Sequence, residues 1–388
     1  MEYQEIIELG KQLNRIEVPT IDSNVNFWMI RSKGGYFYDE YISNEFMALG
    51  WNFIDSSTSL NKDTLEILKQ GIKERYGDKR PMLAINKCKR FISELKQGDY
   101  VLIPNVGSSE ITIALVGEYY EEASLDYIKE ITDIRKIDNG ECEIRSIACP
   151  YKKRRKIQIL LKVSSKRIGY KLLRAISTYH GLSEMNEYAE DILNCIYNCY
   201  EYKNNIMYTI NIAKKERIKP RELSKLFLGV TESFCNIIDE EAVSVSVNLN
   251  SPGRLTVRLE AAYEKLKKGA IPLVAVYLFA FGGSGFGFEF PGLVDHVINA
   301  IKEMRMMDIE VEKAKEDLKG EQLDNYMKIL EIMESVKAGE IDIEKVETDL
   351  KIIQEMSDVL CFESNEKFAM YDEDNDLSEE DNSVQDGE

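Results

Sequence analysis

Histidine is nearly missing from this chain of 388 residues: His180 and His296 are the only two. That excludes active sites and metal centres assembled from several imidazoles. The chain also lacks a glycine-rich phosphate loop ending in Lys-Ser/Thr, a Ser–His pair in a sharp turn and any Cys-x-x-Cys. No carboxylate-x-Lys nuclease motif sits on a credible strand. Catalysis is therefore not expected, and no cofactor or metal is implied. The cysteines (Cys88, Cys142, Cys149, Cys195, Cys199, Cys235, Cys361) are odd in number and irregularly spaced. Cys195 and Cys199 lie one helical turn apart, but too few histidines are present to complete a zinc site. We read reduced core thiols in a cytoplasmic protein. The opening MEYQEIIELG is acidic and amphipathic, unlike a secretory signal. A net charge of −18 disfavours a general polyanion binder, because phosphate contacts are made by Lys and Arg.

Tryptophan is as scarce as histidine, and both copies, Trp28 and Trp51, fall within Asn26 to Asn52. This stretch reads as a strand (Phe27 to Arg31), a turn at Gly34-Gly35, an aromatic and acidic connection (Tyr36 to Tyr41) and a second strand (Glu45 to Trp51). Two indoles beside Arg31, Lys33, Tyr36 and Tyr38 can form a pocket that stacks a flat ligand such as a nucleobase. The competing reading is a core β-hairpin with both indoles buried. Further on, Asp55 to Ser59 is a capping loop for a helix from about Asn61 to Tyr76, and a second helix spans Leu83 to Leu95. Strands are expected after the Gly98-Asp99 turn and over Ile111 to Tyr119. Gly117 suggests a bulge or a close approach in the latter. Glu143 to Ile147 reads as one more strand.

The order WMIR, GG, LGW, two helices, GDYVLIP, ITIALVGEYY and YKKRRK resembles the PUA-like, or EVE-like, β-barrel at the N-terminus of Mrr-type restriction and related bacterial defence proteins. It covers about Ile21 to Leu160. Members of that superfamily bind nucleic acid, several by taking a modified or flipped base into an aromatic pocket. The resemblance implies that Trp28, Arg31, Gly34, Tyr36 and Trp51 line such a pocket here. The chain departs from the pattern at Glu121 to Asn139, which is long and charged where a short loop is expected.

Tyr151 to Ile176 holds ten basic residues and no acidic one, beginning with Lys152, Lys153, Arg154, Arg155 and Lys156. Such a run is the electrostatic footprint of phosphate binding. It is equally the pattern of a solvated strand and helix paired with acidic parts of the same chain. The next expected elements are helices over Lys166 to Tyr179 and Ser183 to Tyr202, then a strand from Met207 to Ile212. A helix opening at Pro220 follows. Val243 to Leu249 and Arg254 to Leu259 alternate as a hairpin. Gly269 to Phe288 carries no charge over 20 residues, but proline and four glycines interrupt it. It reads as buried core or oligomer contact, as a membrane-associated segment, or as a span. Amphipathic helices are expected over Val294 to Met307, Glu321 to Lys337 and Ile341 to Leu360. From Glu363 onward eleven acidic residues accompany one lysine, giving a disordered acidic tail.

The fold class is α+β: a PUA-like β-barrel with helices (1–160), a mixed α+β region with a β-hairpin (161–262), an apolar glycine-rich segment with amphipathic helices (263–362), and the tail (363–388). The expected function is nucleic-acid binding, DNA before RNA, in bacterial anti-phage defence. Self-association or peripheral membrane contact is expected through 269–288. The rival readings are a nuclease with an unrecognised active site and a non-catalytic structural oligomer.

Overall fold

The computed structural model describes residues 18–59, 61–141, 146–235, 240–248, 253–260, 318–339 and 342–370, together with residues 7, 11 and 302. The uncharged segment 269–288, most of the helix expected over 294–307, most of the opening MEYQEIIELG, most of the strand expected at 143–147 and the part of the expected tail beyond 370 lie outside the described residues, whereas the start of that tail is ordered, Phe362–Glu363 as a strand and Asn365–Ala369 as a helix. The fold is mixed α+β with two curled sheets, one of them a half-barrel. It divides into two compact units, one built on Asn24–Ile196, the other on Tyr197–Phe368 joined by the stretch ending at Ser23. The first unit thus runs past residue 160 to include further elements.

In chain order β1 is Thr20–Ile21 and β2 Phe27–Ile30, followed by α1 Tyr38–Ser43 and β3 Phe46–Leu49. Then come α2 Lys62–Tyr76, α3 Pro81–Lys89, β4 Tyr100–Pro104 and β5 Glu110–Glu121. They are followed by α4 Tyr127–Asp138, β6 Lys153–Ser164, α5 Tyr170–Thr178, β7 Leu182–Glu184 and α6 Ala189–Ile196. The second unit continues with β8 Cys199–Tyr202, β9 Asn205–Ile212, α7 Pro220–Cys235, β10 Val243–Asn248 and β11 Gly253–Leu259. It closes with α8 Glu321–Lys337, α9 Ile343–Leu360, β12 Phe362–Glu363 and α10 Asn365–Ala369.

The sheet of the first unit runs β3–β6–β5–β4–β2–β7. Strands β2 and β3 are therefore not a hairpin: three strands, β6, β5 and β4, lie between them. The cause is local. Lys33, Gly34 and Gly35 all adopt positive φ (53°, 66° and 98°), which turns the chain away from β2 and into α1. Gly35 is required on two counts, since a Cβ there would also collide with the backbone of Val106. Strand β2 instead pairs in parallel with β4 and antiparallel with β7. The expected helix from Ser183 is broken into β7, a short α6 and β8; of the apolar residues spaced along it, Met185, Ala189, Ile192 and Cys199 are buried and Ile196 is half-buried. Strands β5 and β6 are the longest, and their register shifts between Val116 and Tyr119. Gly117 lies at that bulge, with Lys156 Cβ only 3.0 Å from where its own Cβ would sit.

The sheet of the second unit runs β1–β8–β9–β11–β10, with β12 pairing at the far end of β9. The hairpin β10–β11 forms as read. Leu226, Val230 and Phe234 of α7 and Ile353, Met356 and Leu360 of α9 are buried, and the Phe234 ring lies 6.4 Å from that of Tyr208 on β9.

Candidate functional site

The first unit contains a cavity of about 590 Å³, within the ~300–1,000 Å³ typical of small-molecule sites. One wall is the end of β3 and the residues after it, Ala48 to Trp51. Opposite stands one face of α4, formed by Glu130, Ile131, Ile134, Arg135 and Asp138. Arg75, Tyr76 and Asp78 close it at the end of α2, Tyr151 from the approach to β6, and Arg31, Lys33, Gly34, His180 and Gly181 from two turns. The wall is thus aromatic and aliphatic with charge at its rim.

Trp51 sits on strained backbone. Its φ is 59°, a region bulky residues rarely occupy. Two buried charges hold it there. The Trp51 N–H donates to Glu130 Oε1 at 2.6 Å, and the Trp51 carbonyl accepts from Lys153 Nζ at 2.8 Å. Glu130 is 4% exposed and Lys153 fully buried. Glu130 Oε2 also accepts from Asn52 N–H at 2.7 Å and Tyr76 O–H at 2.8 Å. Burial raises the Glu130 pKa, against the pull of these donors and of the Lys153 charge. Burial likewise lowers the Lys153 pKa and raises those of Tyr76 and Tyr151. Gly50 permits the approach, since a Cβ there would stand 2.7 Å from Glu130 Oε1 and 3.0 Å from the Tyr151 ring.

Arg31 and Lys33 reach the rim but are tied. Arg31 donates to the Ile176 carbonyl at 2.5 Å, the Tyr179 carbonyl at 3.1 Å and Ser108 Oγ at 3.2 Å, satisfying carbonyls at the end of α5. Burial lowers its pKa. Lys33 pairs with Asp138 at 2.8 Å. Arg75 lies over the Phe53 ring at 4.2 Å and the Tyr127 ring at 5.4 Å.

Of the aromatic and basic residues expected at a pocket, Arg31, Lys33, Gly34 and Trp51 line the cavity; Trp28 and Tyr36 do not. Trp28 is a core residue, 3% exposed, with its indole N–H donating to Asp99 Oδ2 at 2.9 Å. Tyr36 is half-buried against the core, edge-on to Phe37. Trp28 is buried as in the core reading, while Trp51, partly buried against the same core, also lines the cavity.

The basic run divides by the two-residue period of β6. Lys153 and Arg155 point inward. Lys153 donates to the carbonyls of Trp51 and Ile54, and Arg155 to those of Phe91, Ile92 and Gly117. Two of the Arg155 acceptors belong to the π-helical turn Arg90–Glu94 that ends α3. Arg154 donates to the Cys149 and Tyr151 carbonyls and covers the Phe46 ring at 4.5 Å. Lys152 bridges Asp55 at 2.7 Å and Glu121 at 3.3 Å. These four are committed within the fold. Lys156 is exposed, beside Glu118 at 3.4 Å. Further along, Lys162, Lys166, Lys171 and Arg174 are exposed as well.

Glu130, Tyr76 and Tyr151 were not singled out in the sequence. A signal existed for the first: Glu130, Ile131, Ile134, Arg135 and Asp138 recur at helical spacing within the charged Glu121 to Asn139 segment. Among the described residues no cluster of His, Cys, Asp and Glu is placed to hold a metal ion, and no helix is long and apolar enough to cross a membrane.

No curated protein and no solved structure matches the chain. Residues 28–169 match the model of a family described as a domain of unknown function (DUF8426), a span that includes every residue lining the cavity except His180 and Gly181.

Proposed function

We propose that the first unit is a PUA-like nucleic-acid-binding module that takes a single flat ring, an unstacked base, into the cavity against Trp51. The observation that carries this reading is the pairing of an aromatic-walled cavity of about 590 Å³ with a Trp51 backbone clamped in a strained conformation by two buried charges. Strain of this kind persists where the surroundings over-determine it, and it clusters at ligand sites. A base splayed from its strand stacks on aromatic faces, at ~1–3 kcal/mol each. The exposed cations beyond Arg155, Lys156 and Lys162 among them, supply the strand contacts. The bacterial-defence setting rests on the resemblance of the WMIR to YKKRRK order alone.

The test is a binding screen over single- and double-stranded DNA and RNA, with and without base modification, as salt is varied. Binding should favour unpaired or modified bases and weaken as salt rises. Trp51→Ala should weaken it ~5- to 150-fold, the equivalent of one stacked base. Unchanged affinity in a folded Trp51→Ala protein would remove the cavity from the reading.

A further inference from the structure

Glu130 offers a hydrogen-bonding position that the fold itself does not use. A carboxylate accepts about four hydrogen bonds, two at each oxygen. Oε2 takes both of its own, from Asn52 N–H and Tyr76 O–H. Oε1 takes one, from Trp51 N–H. A Cβ at Gly50 would stand 2.7 Å from Oε1, so any side chain there would cover this oxygen. Glu130 and Gly50 both line the cavity and Glu130 is only 4% exposed, so its carboxylate is set back behind the glycine that leaves Oε1 uncovered.

We infer that Glu130 is the specificity-determining residue of this cavity, selecting a ring whose edge carries an exocyclic amino group. This rests on the base-binding reading above and deepens it. An amino group projects beyond the ring perimeter and reaches a recessed acceptor that a ring N–H does not. A carbonyl at the same edge sets oxygen against carboxylate oxygen and is rejected, in the manner of sites built around one buried polar group. The departure from the PUA-like pattern therefore supplies the reader, because Glu130 belongs to α4, inside the segment where a short loop was expected.

The experiment uses the full chain and a short single-stranded oligonucleotide with one central test nucleotide. Adenine is compared with purine, cytosine with pyrimidin-2-one and guanine with hypoxanthine, each pair differing only by the amino group. For the tightest-binding base, deleting the amino group should weaken binding about ten- to a hundred-fold, the worth of a hydrogen bond to a charged group. Trp51→Ala should weaken both members of a pair alike. In Glu130→Gln the amide carbonyl remains on the two donors from Asn52 and Tyr76 and the NH2 takes the place of Oε1, facing both the Trp51 N–H and the ligand, so overall binding should weaken as Trp51 loses its acceptor while the preference within each pair vanishes or inverts. Should that variant fail to fold, the pairs measured on the native protein decide. Equal binding of both members of every pair, with Trp51→Ala still weakening them, overturns this inference and leaves the cavity reading standing. Binding of none of these oligonucleotides overturns both.

Discussion

Trp28 and Trp51 lie 23 positions apart in one stretch of sequence and meet the same core, yet they are held there in different ways. Around Trp28 the backbone is ordinary strand, the ring is closed into the core, and one carboxylate, Asp99, satisfies the indole N–H. Around Trp51 the backbone is strained and the ring stands at a cavity, with a buried carboxylate and a buried ammonium holding the main chain rather than the side chain. Residue type alone does not separate the two. What separates them is where the polar groups nearby are spent. At Trp28 they complete the fold, and at Trp51 they hold a conformation the chain would otherwise avoid.

The sharpest way to test this contrast is truncation. Trp28→Ala should cost about 3–5 kcal/mol of stability by chemical denaturation, as for large core aromatics. Trp51→Ala should cost clearly less while removing more ligand affinity. Equal losses at both positions would erase the distinction. Next in size is Lys153→Met, which leaves the carbonyls of Trp51 and Ile54 without their charged donor. We expect a loss of about 1–3 kcal/mol and weakened ligand binding, although Lys153 does not line the cavity. Normal affinity in a destabilised variant would show that Trp51 needs no clamp.

A smaller effect tests the strain itself. Trp51→Gly should be more stable than Trp51→Ala by about 1 kcal/mol, because only glycine occupies positive φ without the Cβ penalty. The usual opposite order would argue that the φ of 59° carries no cost. The smallest effect is one of pH. Asp55, packed beside Lys152, is partly buried, which raises its pKa, but hydrogen bonds from Lys152 and Ser57 together with the Lys152 charge outweigh this and depress it from 3.8 to about 2. Its folded pKa lies below its unfolded one, so the stability it adds is present above pH 3.8 and is lost as pH falls toward 2. Asp55→Asn should therefore be less stable than the native protein at neutral pH, and the gap in thermal midpoint should close as pH falls through that window. A gap independent of pH would exclude the ion pair as its source.

Much of the fold was legible from the sequence. The capped α2, the helix opening at Pro220, the β10–β11 hairpin and the bulge at Gly117 each carry a local signature with a local cause. Pairing between distant elements was not legible. Nothing in Phe27–Ile30 or Phe46–Leu49 states that they occupy different parts of one sheet, because that depends on the positive φ of Lys33, which sequence does not display. The site was half legible for a related reason. The aromatic stretch and the charged insertion were each visible, but not that one would clamp the other. The basic run shows the converse hazard. Its charge density pointed to a surface, whereas Lys153 and Arg155 answer carbonyls left open by tight turns inside the unit.

The segment carrying α4 enters and leaves the sheet at a single rung. Glu121 ends β5 opposite Lys153, which begins β6, and Glu122 N–H closes onto the Lys152 carbonyl at 2.9 Å. The ladder is therefore complete before the insertion starts and resumes where it stopped. A segment of another length placed between these ends would leave the β5–β6 register where it is, but the stretch before Lys152 is itself tied to the core: the Asp126 and Pro150 carbonyls accept from Asn52, and the Cys149 N–H donates to Glu40. A further condition travels with any graft. The new segment must bring an acceptor for the main-chain N–H groups of Trp51 and Asn52, or the neighbouring wall relaxes.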